Sequence, residues 1–432
     1  MHLPRRHLRI ARLYSRRWQR RFIFTGGALI VGLVAVALAR LADGALHDFQ
    51  QVLHHAPYAA FAITPLGFGL SIWLTNRFFA NTGGSGIPQA IAARELKTVE
   101  ERRKLVSLRA AIGKILMTLL GLLCGASIGR EGPTVQVGAS LMFEIGRLTP
   151  KRQPGLILAG AAAGVAAAFN TPLAGIVFAI EEISRSFETR TSGLIIGAVI
   201  IAGMTSLTFL GNYTYFGSTG AMLGSFDHWL CVPVCGVIGG LLGGCFSRLL
   251  IEVPRNIPGR IGTWTKANPV LFAVACGLGV AICGYLSGDT IWGTGYAQAR
   301  SLVHGTNHLG WQFTPLKFLA TVLSSVSGIP GGIFSPSLSV GAGFGADVAR
   351  FFPSAPLGAI VLIGMVSYFA GVVQAPITSF VIVSEMVDNH QMLVPLMAAA
   401  LIATACSKLV CGEGVYHALS KRYLEVAKGQ PS

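Results

Sequence analysis

Gly129-Arg130-Glu131-Gly132-Pro133 sets an arginine and a glutamate between glycines in the middle of a long apolar stretch. A lone charge at the centre of a bilayer costs roughly 2.5 to 3.5 kcal/mol on insertion scales, so an ionisable residue there is read as functional. The upstream apolar run, Leu105 to Ile128, is long enough to reach deep into a membrane. Pro133 heads the next run and marks a first helical turn, which places Glu131 at a helix start. Such a start exposes about four unpaired N–H groups and carries partial positive charge, which suits a carboxylate or a small anion. The pentapeptide therefore reads as an anion site that a carboxylate is able to occupy. In a soluble protein Glu131 would merely cap its helix or pair with Arg130; the membrane context weighs against that.

Composition supplies that context. Only 12% of the 432 residues are charged and 52% are hydrophobic, with a mean hydropathy of +0.60, whereas soluble domains carry about 25% charged residues. Apolar runs recur over 22–41, 58–76, 105–127, 155–180, 192–210, 229–251, 269–287, 356–384 and 391–411, each about as long as a membrane span requires. The fold class is thus an all-α polytopic, multi-pass protein of the lipid bilayer. Its 54 glycines suit close helix packing and interrupted helices. The eight cysteines lie in or beside apolar runs without a CxxC spacing and read as small core residues. The ten histidines fall mostly in predicted loops and tails, so neither a metal site nor another cofactor is expected. Residues 1–21 hold eight arginines and stop where the first apolar run begins, which marks a cytoplasmic flank and not a nucleic-acid-binding arm. No cleavable signal peptide is indicated.

Two further stretches resemble the first. Gly83-Gly84-Ser85-Gly86-Ile87-Pro88 combines flexible backbone, a hydroxyl and a proline-marked helix start, and is followed by a charged loop from Arg94 to Arg109 expected inside the cell. A small-residue helix, Gly160 to Phe169, runs through Asn170-Thr171-Pro172 to Glu181-Glu182, a pair that a solvated helix end would equally explain. An internal repeat organises these pieces. Gly84-Ser85-Gly86 is echoed by Gly293-Thr294-Gly295 at an offset of 209, Gly132-Pro133 by Ser335-Pro336 at 203, and Pro172 with Glu181 by Pro376 with Glu385 at 204. Matching interruptions in two halves point to a mid-membrane site between them, in parallel or inverted arrangement. The halves are expected at 22–215 and 216–416, with a short tail over 417–432. Ile333 and Phe334 stand before Pro336 as Glu131 stands before Pro133, so three broken helices would aim N–H groups at one point and favour a small anion. A cation site would instead want carbonyls or a carboxylate ring. Tyr416, just past the last apolar run, reads by itself as an interfacial aromatic.

Gly84-Ser85-Gly86-Ile87-Pro88, Gly129-Arg130-Glu131-Gly132-Pro133, Gly332-Ile333-Phe334-Ser335-Pro336 and Tyr416, in this order, resemble the CLC family of chloride channels and chloride/proton antiporters. The resemblance implies a CLC-type inverted repeat of tilted, partly broken helices and a homodimer with one anion pathway per subunit. It implies that Ser85, Tyr416 and the amides of Ile333 and Phe334 hold a central chloride, with Arg130 and Gly132 in the same chloride-binding set. Glu131 would be the gate, and Glu182 would match the inner proton-transfer glutamate of the antiporters. The expected function is chloride/proton exchange, with a passive channel gated by voltage or protons as the alternative on the same scaffold. No enzymatic grouping is present. The expected setting is a bacterial inner membrane with both termini cytoplasmic. The sequence runs 16 residues past Tyr416, so the nucleotide-binding CBS pair of many eukaryotic members is not expected. Serine at 85 favours chloride over nitrate, and the serine and tyrosine together disfavour the fluoride-selective branch. Gln89 and Ser335 occupy variable positions of the motifs and carry no expected role.

Overall fold

Prolines open several of this chain's helices, and left-handed residues close some of them. The computed structural model describes residues 5–147, 152–184, 189–211, 214–256, 259–306 and 309–428; these are nearly all helical, with no strand and two isolated backbone bridges. The first half contains α1 (Arg5–His55), α2 (Ala60–Phe78), α3 (Ile87–Glu95), α4 (Val99–Leu105), α5 (Leu108–Leu123), α6 (Glu131–Gly146), α7 (Gln153–Phe169), α8 (Pro172–Phe178) and α9 (Thr189–Leu210). The second contains α10 (Phe226–Trp229), α11 (Cys231–Asn256), α12 (Gly259–Ala267), α13 (Pro269–Leu286), α14 (Tyr296–Val303), α15 (Phe313–Val326), α16 (Phe334–Ala349), α17 (Leu357–Val373), α18 (Pro376–Val387), α19 (Leu393–Val410) and α20 (Val415–Ala427).

From Arg5 onward the basic segment is part of the same helix as the first apolar run; residues 1–4, and 429–432 of the expected tail, lie outside the described residues. The charged stretch expected as a loop contains α4, started by a reciprocal cap between Thr98 and Glu101. The apolar runs 155–180 and 356–384 are each two helices. α7 ends on left-handed Asn170 (φ 57°) and α17 on left-handed Gln374 (φ 58°), after which Pro172 and Pro376 open α8 and α18. Proline has no N–H to donate and its ring crowds the preceding turn, so it is best placed in a helix's first turn, where Pro172 and Pro376 stand.

The repeat is inverted. Glu385, near the end of α18, accepts hydrogen bonds from the amides of Leu173 (3.1 Å) and Ala174 (2.8 Å) at the start of α8. Glu181, just past the end of α8, accepts from Ile377 (3.0 Å) and Thr378 (2.5 Å) at the start of α18. Each helix thus lays its tail at the other's head. α6 and α16 match at 16 residues each, and α7 and α17 at 17.

One apolar core runs through both halves, and a smaller one joins α1, α6, α7 and α9. Seven helical stretches of the described residues are long and apolar enough to cross a membrane. Their outward side chains, such as Ile30, Trp73, Leu116, Ile200 and Leu401, are exposed apolar groups that lipid would cover.

Candidate functional site

Three loops that precede broken helices are stitched together by backbone hydrogen bonds. Gly84 donates to the Ile329 carbonyl and accepts from Gly331. Gly129 and Gly332 exchange both bonds, at 2.6 and 2.7 Å. The starts of α3, α6 and α16 are thereby brought to one place, and none of their N-cap residues, Gly86, Arg130 and Ile333, caps its helix with its own side chain. Buried helix starts without caps leave N–H groups that seek an acceptor. In the first loop Gly84 and Gly86 adopt positive φ (67° and 105°), a conformation open to glycine, and the second half repeats it at Gly293 and Gly295.

Glu131, 1% exposed, lies at this junction. Its Oε1 accepts a 2.6 Å hydrogen bond from the Ser335 hydroxyl, 204 residues away and also buried. Its Oε2 is folded back over Gly129, where a Cβ would collide with it, and has no hydrogen-bond partner. The backbone amides of Glu131 and Ser335 lie against the same carboxylate. Arg130 turns away to α1, donating to the Ala39 carbonyl at 2.5 Å and pairing with Asp43 at 2.6 Å. Gly132 fits beside Ser85 because a Cβ would collide with the Ser85 hydroxyl.

At the same junction stand Ser85 and Tyr416, 7% and 0% exposed. Each hydroxyl is buried without a hydrogen-bond partner, although the two lie near one another. Full burial removes Tyr416 from the interfacial reading: it is the second residue of α20, which packs against α3. That packing is pinned by Tyr423 donating to the Gly83 carbonyl at 3.0 Å and by Lys104 donating to the Ala427 carbonyl at 2.8 Å. A cavity of about 790 Å³ reaches Ser85 and Ile333 from the side bearing Lys266, Arg422 and Glu425. Ile333 is the N-cap of α16 and Phe334 its first residue, with the Phe334 ring packed on Phe369 at 4.2 Å and Phe169 at 4.8 Å.

Glu181 and Glu182 have separate surroundings. Glu181 caps α18, as above. Glu182, 3% exposed, lies in a widened turn over Ala179–Ser184 that follows α8. His417, next to Tyr416, has its Nε2 at 2.6 Å from the Glu182 carbonyl and 3.9 Å from its Oε1.

Several residues at this junction were not anticipated from sequence. Lys114 and Lys317, both fully buried, occupy matching positions of the repeat. Lys114 donates to the carbonyls of Thr82 and Gly84. Lys317 donates to those of Ile291 (2.7 Å) and Gly293 (2.8 Å) and to the Ser127 hydroxyl (2.9 Å). Each lysine fixes the loop in front of its half's broken helix. Their 203-residue spacing was a signal available in the sequence. Tyr215 lies beside the Ser335 hydroxyl and within electrostatic reach of Glu131, Arg130 and Asp43; nothing in its local sequence marks it. Ser335 was visible as the counterpart of Gly132, a serine where the first half requires glycine.

A family model described as voltage gated chloride channel matches residues 66–408. An H(+)/Cl(-) exchange transporter ClcA from Yersinia pseudotuberculosis serotype IB (strain PB1/+) is 33% identical, over 92% of this chain and 86% of its own. Among solved structures, a slow cyanobacterial Cl-/H+ antiporter superimposes with a TM-score of 0.80 at 25% identity, covering 93% of this chain and 97% of that one. A CLC-type fluoride/proton antiporter, at 22% identity, gives a TM-score of 0.78 over 92% of this chain and 97% of its own, and speaks to the fold alone.

Proposed function

The chain belongs to the voltage-gated chloride channel family, whose members are transporters and not enzymes, and on that premise we propose that it exchanges chloride for protons, with Glu131 as the outer gate and Glu182 as the inner proton-transfer group. The observation that carries this reading is the junction of three helix starts whose N-cap residues make no side-chain cap, with a buried carboxylate and two unpartnered buried hydroxyls beside it. Such a place satisfies an anion through N–H and O–H donors without a fixed countercharge.

Chloride is bound by the Ser85 and Tyr416 hydroxyls and the amides of Ile333 and Phe334. Gly132 contributes backbone and room. Arg130, held by Asp43, adds positive potential near the gate without being the counter-ion of Glu131. A charged Glu131 carboxylate competes for the helix-start N–H groups; a protonated one has lost that attraction and leaves them to chloride. One group thereby trades a proton for an anion. Glu182, near the Tyr416 side, collects or releases the proton within the cell, and His417 holds the turn on which it sits. The relatives named as H(+)/Cl(-) exchangers support antiport over passive conduction. The same reading makes the protein a homodimer with a pathway in each subunit, composed of halves 22–215 and 216–416, in a bacterial inner membrane with both termini cytoplasmic.

The test is transport by purified protein in sealed liposomes with a chloride gradient, no proton gradient and the membrane potential clamped. Internal pH should change as chloride drives protons uphill. Glu131→Ala and Glu182→Gln should each abolish proton movement while chloride still passes. Chloride flux with no proton movement at any clamped potential would make the protein a channel and remove the role given to Glu182.

A further inference from the structure

The two halves are related by the repeat, but the junction is not symmetric. Where the first half has Glu131-Gly132-Pro133, the second has Phe334-Ser335-Pro336. Gly132 has no room for a side chain, because a Cβ there collides with Ser85. Its counterpart Ser335 has room, and its hydroxyl donates across the junction to Glu131 Oε1 at 2.6 Å. Both partners are buried, at 3% and 1% exposure, so water does not compete for the bond. Among the described residues, the other charged or titratable groups near this carboxylate are Arg130, whose guanidinium is turned to Asp43, and the phenols of Tyr215 and Tyr416. Tyr215 is fixed by edge contacts with Phe169 (5.3 Å) and Tyr296 (5.0 Å) and lies beside the Ser335 hydroxyl. Ser335 therefore supplies the side-chain hydroxyl that tethers the carboxylate to the opposite half.

We infer that the Ser335 hydroxyl is a latch: it holds the Glu131 carboxylate on the helix starts and sets how strongly chloride must compete to displace it. This rests on the gate role proposed for Glu131. Ser335 is a positioning residue, acting on chloride through the glutamate. A hydrogen bond to a charged acceptor is among the stronger ones, and its loss should favour the competitor about tenfold. A neutral carboxyl has already given up the site, so the effect should fade in acid.

The experiment is calorimetric titration of the detergent-purified full chain with sodium chloride, across a pH series. At neutral pH, Ser335→Ala should bind chloride about tenfold more tightly than wild type. The gain should shrink in acid and vanish in a Glu131→Ala background, and Ser335→Thr, which keeps a hydroxyl, should restore wild-type affinity. Monodisperse elution of each variant establishes folding. If Glu131→Ala strengthens chloride binding but Ser335→Ala does not, the latch is wrong and the gate stands. If Ser335→Ala weakens binding, alone or on Glu131→Ala, the hydroxyl is a chloride ligand and the latch is again wrong. If Glu131→Ala itself leaves chloride affinity unchanged, gate and latch fall together.

Discussion

Ser85 and Tyr416 are buried hydroxyls with no partner inside the protein. Burying a polar group without a hydrogen bond costs about 1–3 kcal/mol, so the pair is costly unless something is bound there. Hydrogen bonds to a charged ligand contribute about 1.5–3 kcal/mol each, and 1.4 kcal/mol is tenfold in affinity. Ser85→Ala and Tyr416→Phe should therefore each weaken chloride binding by about tenfold or more in calorimetric titration. Unchanged affinity in both would remove these hydroxyls from the site. Ser85 was legible in the sequence because glycines and a proline surround it. Tyr416 was legible through the family resemblance alone, since its neighbours read as an interface. Its burial depends on α20 returning more than 300 residues later to pack on the loop at Gly83, through Tyr423.

At the scale of elements, the nine-residue spacing from Pro172 to Glu181 and from Pro376 to Glu385 acquires a cause. In each half the proline opens a short helix and the glutamate at its far end caps the short helix of the other half. A carboxylate on a helix start satisfies amides that have no intrahelical acceptor and matches the end's partial positive charge. Removing either cap should cost about 1–2 kcal/mol. Glu181→Ala and Glu385→Ala are expected to lower the thermal unfolding midpoint in detergent, alike in direction, with chloride affinity retained. A midpoint unchanged in both would show that these bonds add nothing to the packing around them. The sequence displayed the spacing but not the exchange, because a carboxylate's partner across a repeat interface leaves no local pattern.

For the whole molecule, the proposed topology puts the arginines before Phe22 in the cytoplasm, and α20 with them through the loop it packs against. In a cysteine-free background, Lys421→Cys should react with a membrane-impermeant maleimide only from the cytoplasmic side, and His54→Cys, at the far end of α1, only from the other. Both positions are exposed. Labelling of both from one side would overturn the topology. On the proposed function, anions on the Lys421 side would enter through the cavity that reaches Ser85 and is lined by Lys266, Arg422 and Glu425, where the two cations favour anions.

Composition and run length by themselves determined that this is a multi-pass helical membrane protein, since a bilayer core admits few other ways to satisfy the backbone. Glycine, proline and the repeat offset determined where helices break and that the breaks come in matched pairs, because those residues act locally on φ and on the N–H supply. Tertiary structure alone decided the inverted sense of the repeat, the turn of Arg130 toward Asp43, the separate surroundings of Glu181 and Glu182, and the bond from Ser335 to Glu131. Each of these joins groups far apart in the chain. Which donor meets which carboxylate there depends on how whole helices pack, and residue types within one segment do not encode it.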